Sequence, residues 1–368
     1  MSFDLRWLNA TEKQVIAAAP ADWKRTPLPR TAIITFCVAV ALFFVISLSH
    51  VAWLGFVGVI SVIVAVISGF SSLSTLRNRA DEPKQLRLGW VAAANGFQFS
   101  QTGITSVDSM LLRAGHDLTG QQFFWNHDGD EFGSLRYSTG SGKSQSTTHW
   151  HYVAARLPAP LPHMVLDAKA NDSLGSDLPE AVARDQRISL EGDFDTHFTL
   201  YAPLEYQQDA LYVFTPDVME VTVEVAKYFN IEIAADGVIF FAKPGADFSH
   251  PAVWAEADNI LHLVVPKLAS RAARYLDDRV NGQQASRAID VAAATATAAH
   301  AEADQDAPAG AALAVATAAP LPVIAPQGRR LKASHRWIGV GGIVVLIVIA
   351  ADLVYGIISR IVEHALFG

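Results

Sequence analysis

Two histidines separated by one residue are the first candidates for chemistry in this chain. His149 and His151 fall in a segment, 147–156, whose alternating side chains predict a β-strand, so both imidazoles would lie on one face. Two imidazoles at that spacing suit a transition metal such as zinc, which needs at least one further ligand. His127 or His116 could supply that ligand. The alternative is that these histidines only pack or lie at the surface among neighbouring aromatic residues.

A second candidate is a run of four polar residues that alternate along the chain: Glu191, Asp193, Asp195 and His197. On a strand they would share one face, and paired carboxylates there could act as general acid and base. Four polar side chains on one face are also typical of the solvent side of an edge strand. We therefore keep Asp193 and Asp195, together with the two histidines at 149 and 151, as the catalytic set of an alternative enzymatic function only.

Two turn sequences imitate ligand-binding loops. The run Gly140-Ser141-Gly142-Lys143-Ser144 resembles the end of a phosphate-binding loop, but the first glycine of that motif is missing and a strand is predicted to follow. Asn126, Asp128 and Asp130 imitate the start of a calcium-binding loop, whose sixth position is Glu131 here instead of glycine. Both sequences predict hairpin turns.

The elements that carry these residues are joined to long apolar stretches. No charged side chain occurs between Arg30 and Arg77. This stretch is about twice the roughly 20 residues that cross a ~30 Å hydrocarbon core as a helix. We predict two transmembrane helices over residues 31–71, separated at the polar residues 47–50. Cys37, the single cysteine, lies within the first of them, so no intramolecular disulfide is possible.

The rest of the chain is predicted to divide into five parts: a tail with one short helix over 1–30, a soluble acidic domain over 84–282, an Ala-rich flexible tether over 283–335, a third transmembrane helix over 337–358 and a short outer tail over 359–368. The tether prediction rests on composition, because a segment with few large apolar residues cannot offset its ordering entropy.

The domain is predicted to be α+β with a mainly antiparallel sheet. Asp-Gly pairs at 128–129 and 236–237 indicate tight hairpins. The prolines at 158, 160 and 162 are unsuited to a central strand. Further strands are predicted over 187–193 and 197–201. Helices are predicted over 85–95, over 209–229 with a break at Pro216, and over 252–280 with a break near Pro266.

Charge is distributed unevenly along the chain, whose net charge is −8. Residues 1–80 have 7 Lys+Arg against 3 Asp+Glu, or +4, whereas residues 81–282 have 15 against 27, or −12. Basic residues flanking membrane spans stay on the cytoplasmic side, which predicts a cytoplasmic N-terminus and domain and an outside C-terminus. A domain this acidic is repelled by phosphate backbones, so nucleic acid is excluded as a partner.

One stretch resembles a known family. Residues 190–202 read LEGDFDTHFTLYA, and residues 209–220 read DALYVFTPDVME. Together they are similar to a bacterial family of membrane-anchored proteins of unknown function, domain-of-unknown-function family 3137. The likeness covers roughly residues 30–245 and rests on apolar and turn residues. It implies a two-span hairpin ahead of the domain and supplies no activity or catalytic roles.

The function expected from the sequence is that of a multi-pass protein of the cell membrane. Its cytoplasmic domain would be an accessory or interaction module without chemistry of its own, binding no cofactor. Its partners would be the bilayer, through three spans, and a protein. The alternative is a membrane-bound, hydrolase-like enzyme that uses His149, His151 and His127 as metal ligands, with the two aspartates at 193 and 195 nearby.

Overall fold

The computed structural model describes residues 2–21, 23–49, 55–172, 175–190, 192–280 and 323–333. They form an α+β domain preceded by two long apolar helices, as the sequence predicts. The predicted third transmembrane helix, 337–358, and the tail after it lie outside the described residues. The helices are α1 (Glu12–Ala17), α2 (Arg30–Ser49), α3 (Gly55–Ala94), α4 (Met110–Arg113), α5 (Phe194–His197), α6 (Gln207–Val213), α7 (Pro216–Ala226), α8 (Pro251–Asn259) and α9 (Val265–Ala272), with a π-helical turn, Ile260–Val264, between the last two.

The sheet has seven antiparallel strands: β1 (Gln98–Ser100), β2 (His116–Trp125), β3 (Glu131–Thr139), β4 (Ser146–Ala168), β5 (Arg187–Ile188), β6 (Phe198–Tyr201) and β7 (Asn230–Ala242). Their order is β1-β2-β3-β4-β6-β5, and β7 also pairs with β4. Strand β4 is the centre of this arrangement, since its first part pairs with β3, its last residues pair with β6, and β7 follows most of its length.

Two predictions about this sheet are wrong. The prolines between residues 158 and 162 do lie within the central 23-residue strand β4. The ladder to β7 shifts register between Arg156 and Met164, which accommodates residues that cannot donate a backbone hydrogen bond. The Asp236-Gly237 pair makes no hairpin: β7 runs unbroken from Asn230 to Ala242 beside β4.

Helices α2 and α3 pack against each other as an antiparallel pair. A β-carbon on Gly69 would lie 3.1 Å from the ring of Phe36, and one on Gly58 would lie 3.6 Å from Ile46. Gly69 therefore leaves room for the Phe36 ring, whereas a β-carbon at position 58 would make an ordinary van der Waals contact. By length and composition each helix could cross a membrane. Large apolar side chains on their outer faces are exposed, among them Val38, Phe44, Phe56, Val66, Phe70 and Leu73.

Helix α3 does not end where the apolar stretch ends. The sequence predicts a span ending near residue 71 and a separate helix from 85, whereas the structure has a single helix of 40 residues. At 1.5 Å per residue this helix is about 60 Å long. Its last turns bury Leu88, Val91 and Ala92 in the domain core. Gly96 follows with φ +78°, and the N–H of Phe97 donates to the carbonyl of Ala92 at 2.9 Å, which is the geometry of a glycine C-cap.

The N-terminal segment packs on the same domain. Phe3 lies edge-on to Phe97 and Trp254, with ring centroids 5.7 and 5.8 Å apart, and Trp7 stacks on Trp90 of α3. The predicted short helix is α1, which begins with a capping box formed by Thr11 and Gln14. The N-terminal segment and the domain thus lie at the same end of the α2–α3 pair.

The core beneath the sheet is an aromatic cluster. The rings of Phe124 and Phe132 stack at 4.8 Å, and Trp254 lies edge-on to both at 4.9 and 5.3 Å. All three side chains are fully buried, in one cluster with Leu88 and Val91 of α3. The end of α3 is therefore a core element of the domain.

Residues 323–333 form a strap across the domain, although the sequence predicts a flexible tether over 283–335. Ile324 and Ala325 are buried, and Ala333 forms an antiparallel bridge with Val182. Gly328 fits against the ring of Tyr206, where a β-carbon would come within 2.4 Å. For these residues the tether prediction is wrong, and residues 283–322 lie outside the described residues.

Two buried side chains, the carboxylate of Asp277 and the imidazole of His163, hold the strap. Asp277 Oδ2 accepts hydrogen bonds from the backbone N–H of Ala325 at 2.9 Å and from the hydroxyl of Tyr206 at 2.6 Å. Although burial alone would raise the pKa of Asp277, these bonds and those from Arg279 hold the pKa below its usual value. The carboxylate is therefore ionised and built into the contact.

The second buried side chain that binds the strap is His163. The backbone N–H of Leu331 donates to Nδ1 of the buried His163 at 2.9 Å. The proton of this imidazole is therefore on Nε2, which lies 2.8 Å from Oε1 of Glu232. Glu232 is fully buried and accepts two further bonds, from the hydroxyl of Ser109 and the backbone N–H of Met110.

Replacing Asp277 by Ala should release the strap. The substitution leaves Tyr206 and the N–H of Ala325 without their acceptor, and we expect a loss of about 3 kcal/mol in the free energy of unfolding. Trypsin should also cleave sooner at Arg329 and Lys332. Urea unfolding and timed proteolysis measure the two effects. The matched control is Glu205→Gln, whose side chain is exposed nearby and which should change neither. Unchanged cleavage in the Asp277→Ala protein would contradict the anchoring role.

Candidate functional site

Three aspartates come together where β4 ends. Asp167 is near the end of that strand, and Asp172 and Asp177 lie on the loop that follows. One carboxylate oxygen from each lies within 4.8 Å of the other two. Within the part of the chain that the structure describes, this is the group of His, Cys, Asp or Glu side chains whose ligand atoms converge closely enough for a metal ion. We call it the aspartate cluster.

Asp167 is the buried member of the aspartate cluster. It is 3% exposed, and its Oδ1 has no hydrogen-bond partner among the described residues. Burial raises the pKa of Asp167 to about 7, and the neighbouring carboxylates Asp172 and Asp177 add to the effect, while a hydrogen bond from Ser176 offsets part of it. A buried carboxylate oxygen without a partner is unstable when charged unless a proton or a cation accompanies it.

The other two carboxylates are held in place by local hydrogen bonds. Asp172 Oδ1 accepts from the backbone N–H of Asp177 at 3.1 Å. Asp177 Oδ1 accepts from the side-chain amide of Asn230, the first residue of β7, at 2.6 Å. Burial also raises the pKa of Asp172. Both side chains are half-buried, so the cluster opens to solvent on their side.

Two lysines carry positive charge near the aspartate cluster: Lys169 acts on Asp167 and Asp172, and Lys243 approaches Asp177. Lys243 Nζ lies 3.7 Å from Asp177 Oδ2 and 4.3 Å from the ring centroid of Trp150. Its charge offsets part of the cluster's negative charge from one edge. Lys243 lies far from the three aspartates in sequence.

The histidines predicted as metal ligands do not converge among the described residues. His149 is exposed on β4, and His127 is exposed in the turn between β2 and β3. His151 is half-buried, its Nδ1 lies 2.6 Å from the carbonyl oxygen of Pro244, and burial lowers its pKa. His116 is exposed at the start of β2. The imidazoles at 149 and 151 share a strand, as predicted, without a third ligand atom close by in the described chain.

The acidic run at 193–197 is not a strand. Phe194–His197 is helix α5, and Gly192 before it has φ +73°, so the predicted alternation on one face is wrong. Aspartate and glycine favour turns over strands because short polar side chains bond to nearby backbone. Asp195 does this, accepting from the N–H of Leu190 at 3.1 Å and from the hydroxyl of Ser189. Asp193 is exposed, and Glu191 lies outside the described residues.

The two loop-like sequences are turns, as predicted. Between β2 and β3, Asn126 Oδ1 accepts from the N–H of Asp130 at 2.9 Å, and Gly129 has φ +87°. Between β3 and β4, Gly140 has φ +76° and a short 3₁₀ turn, Gly142–Ser144, leads into a strand. No helix follows either turn, so neither has the geometry of the motif it imitates.

Comparisons with known proteins add little. No protein-family model matches the chain, and no curated protein sequence matches it. A solved structure, the crystal structure of the mycobacterial trehalose monomycolate transport factor A, TtfA, is weakly similar, with a TM-score of 0.32 and 10% identity over 49% of this chain and 89% of that chain. A likeness of this size carries no argument. The resemblance to family 3137 stays a prediction.

Replacing Asp167 by Asn should make the metal-free protein more stable, and increasingly so as the pH rises. The folded-state pKa lies near 7 and the unfolded-state pKa near 4. The folded wild-type protein therefore binds more protons than the unfolded chain between about pH 4 and pH 7, and its stability falls over that range. The neutral amide avoids this loss. We expect the stability difference to grow by about 2 kcal/mol between about pH 5 and pH 8, as measured by urea unfolding in the presence of a chelator.

The exposed Asp193→Asn variant is the control and should follow the wild-type profile. A difference between Asp167→Asn and the wild type that does not change with pH would mean that Asp167 is no more readily protonated in the folded than in the unfolded chain.

Proposed function

We propose that this protein is a multi-pass membrane protein whose domain is an accessory or interaction module with no chemistry of its own, held rigidly at the bilayer surface. The observation that carries the proposal is the continuity of α3 (Gly55–Ala94). Its first half exposes apolar side chains such as Phe56 and Phe70, and its last turns are buried in the domain core. An anchor that ends inside the core fixes the distance and direction of the domain from the membrane.

The exposed surface of the helix pair supports the anchoring. Exposed apolar side chains cover α2 and the first half of α3, an arrangement that water disfavours and hydrocarbon accepts. The buried hydroxyls of Ser61, Ser68 and Ser72 donate to carbonyls one turn earlier, so these polar groups are satisfied within the helix. These three hydroxyls therefore need no water to satisfy them.

The basic residues support a cytoplasmic domain. Arg77 and Arg79 follow the apolar half of α3, and Lys24, Arg25 and Arg30 precede or begin α2. Both clusters fall at the same end of the helix pair, where the N-terminal segment packs on the domain. The positive-inside rule then assigns that end to the cytoplasm. A third span over 337–358 would carry the C-terminus outside.

The strap gives this topology a second consequence. Ala333 is paired with Val182 of the domain, four residues before the proposed third span begins. The domain would therefore be attached closely to the membrane through α3 on one side and through the strap on the other.

An exposed apolar surface on the domain supports a protein partner. Leu204, Leu211 and Tyr212 are all exposed and lie in or just before α6. Aromatic and large aliphatic side chains at the surface are the residues on which binding energy concentrates. The acidic character of the domain, −12 over residues 81–282, favours a partner with a basic surface.

Reporter fusions test the topology. A reporter active only in the cytoplasm should be active when fused after Gln283, and one active only outside the cytoplasm should be active after Gly368, because three spans separate the N-terminus from the C-terminus. Reversing the reporters at each site gives the controls. Activity of the outside reporter after Gln283 would overturn the orientation, and a cytoplasmic C-terminus would remove the third span.

Site-specific crosslinking in native membranes tests the interaction module. A photoreactive amino acid in place of Tyr212 should give a discrete crosslinked protein because that side chain is exposed on α6. The same amino acid in place of the exposed Arg136 on β3 is the matched control.

Alanine variants test for enzymatic activity. The substitutions His149→Ala, His151→Ala, Asp193→Ala and Asp195→Ala should each leave cellular function intact. Loss of function together with loss of stoichiometric bound zinc in His149→Ala would favour the enzyme instead.

A further inference from the structure

The aspartate cluster is an arrangement that needs a positive charge. Three carboxylates within 4.8 Å of one another repel, and the buried one, Asp167, has an oxygen without a partner. A surface cluster could spread its carboxylates into water to relieve this repulsion. This one is fixed, because Asp167 is in a central strand and Asp177 is bonded to Asn230 of β7.

The two nearby lysines do not fill that need. Lys243 reaches Asp177 from the edge at 3.7 Å, a separation too long for a direct hydrogen bond, and its ammonium also lies over the ring of Trp150. Lys169 donates instead to the backbone carbonyl of Asp195. The charge of Lys169 offsets part of the negative charge of Asp167 and Asp172, but Asp167 Oδ1 still has no hydrogen-bond partner among the described residues.

We propose that Asp167, Asp172 and Asp177 bind one hard divalent cation, with Ca²⁺ the best fit. Such ions take carboxylate oxygens at about 2.3–2.6 Å, so two oxygens on the same ion can lie at most about 5 Å apart. Each pair of carboxylates in the cluster meets that limit. The half-buried Asp172 and Asp177 leave a path from solvent, and water completes the coordination. Soft transition metals are disfavoured because no thiolate or imidazole is part of the cluster.

Binding would fasten the loop after β4 to the centre of the sheet. Asp172 and Asp177 belong to that loop, Asp167 belongs to β4, and Asn230 holds both Asp177 and the backbone N–H of Ala168, the latter at 2.9 Å. A cation shared by all three carboxylates would therefore restrain the loop against β4 and β7. This goes beyond the proposed module function and stands or falls independently of it.

The test uses the full chain purified in detergent micelles, stripped with a chelator and then titrated with Ca²⁺ alone. At a Ca²⁺ concentration of about 100 times Kd, we expect the melting temperature to rise by roughly 5–10 °C. Asp172→Asn and Asp177→Asn should abolish the rise. Asp193→Asn, which alters an exposed carboxylate outside the cluster, should keep it. A parallel titration with Mg²⁺ should give a smaller rise, since that ion demands shorter bonds in a stricter geometry.

Two further variants keep the test decisive if the first two fold poorly. Asp167→Asn removes the buried charge and should fold at least as well as the wild type, yet lose the response to Ca²⁺. Lys243→Gln removes the competing cation and should bind Ca²⁺ severalfold more tightly, a gain that a purely structural role for the cluster would not produce. Terbium luminescence excited through Trp150 reads binding directly, independent of stability.

A wild-type protein that shows neither a change in melting temperature nor terbium luminescence that Ca²⁺ displaces, up to about 1 mM Ca²⁺, would overturn the proposal. The proposal would also be overturned if the response to Ca²⁺ persisted in Asp167→Asn, Asp172→Asn and Asp177→Asn. The ion would then bind outside the cluster, as an adventitious ion only.

Discussion

The burial of one end of α3 in the domain core is the constraint on which the rest of this structure depends. Leu88, Val91 and Ala92 pack in the same cluster as Phe124 and Phe132 of the sheet. At 25 cal/mol per Å² of apolar area, the buried side chains of Leu88 and Val91 contribute roughly 1.5–3 kcal/mol each, so detaching the helix end would cost much of a domain's typical stability. The apolar half of the same helix must therefore follow the domain wherever it goes.

Other contacts extend this attachment. The N-terminal segment binds back along α3: Arg87 donates to the carbonyl of Ala10 at 2.9 Å, and the N–H of Asp4 donates to Asn95 at 2.7 Å. The strap reaches the domain from the other end of the chain, through Asp277 and His163. Segments before and after the domain thus both contribute to its core. A domain built this way cannot be cut cleanly from its flanking segments, and isolating residues 84–282 alone would remove part of the packing.

Much of the architecture could be predicted from the sequence, because the signals are local. The absence of charge over forty residues, the Asp128-Gly129 turn, the Thr11 capping box and the break at Pro216 each depend on a few neighbouring residues. The predictions that were wrong concern features that depend on residues far apart in the sequence. Residues 70–85 are polar enough to look like a linker, and only packing of the turns beyond them shows that the helix continues. The strap looks disordered by composition because its partners, Asp277 and His163, lie far away in the chain.

The aspartate cluster shows the same limit at the level of the site. Asp167, Asp172 and Asp177 are spaced five residues apart, a period that matches neither a helix nor a strand, so no face pattern marks them. Their convergence depends on β4 ending at Ala168 and on Asn230 of the neighbouring strand. For the histidines at 149 and 151 the sequence pattern was clear, but the predicted site does not form. Their spacing indicates a strand, yet no neighbouring element brings a third ligand to them within the described chain.

Hydrogen exchange along α3 tests the central claim most directly. In the full protein reconstituted in lipid, amides from residue 70 to residue 88, apart from Pro83, should exchange slowly as one cooperative unit, because the helix is continuous from its apolar half into the core. Exchange over residues 72–84 that is fast, and faster than on both flanks, would mean that a hinge separates the anchor from the domain. The domain would then be tethered flexibly to the membrane instead of attached rigidly to it.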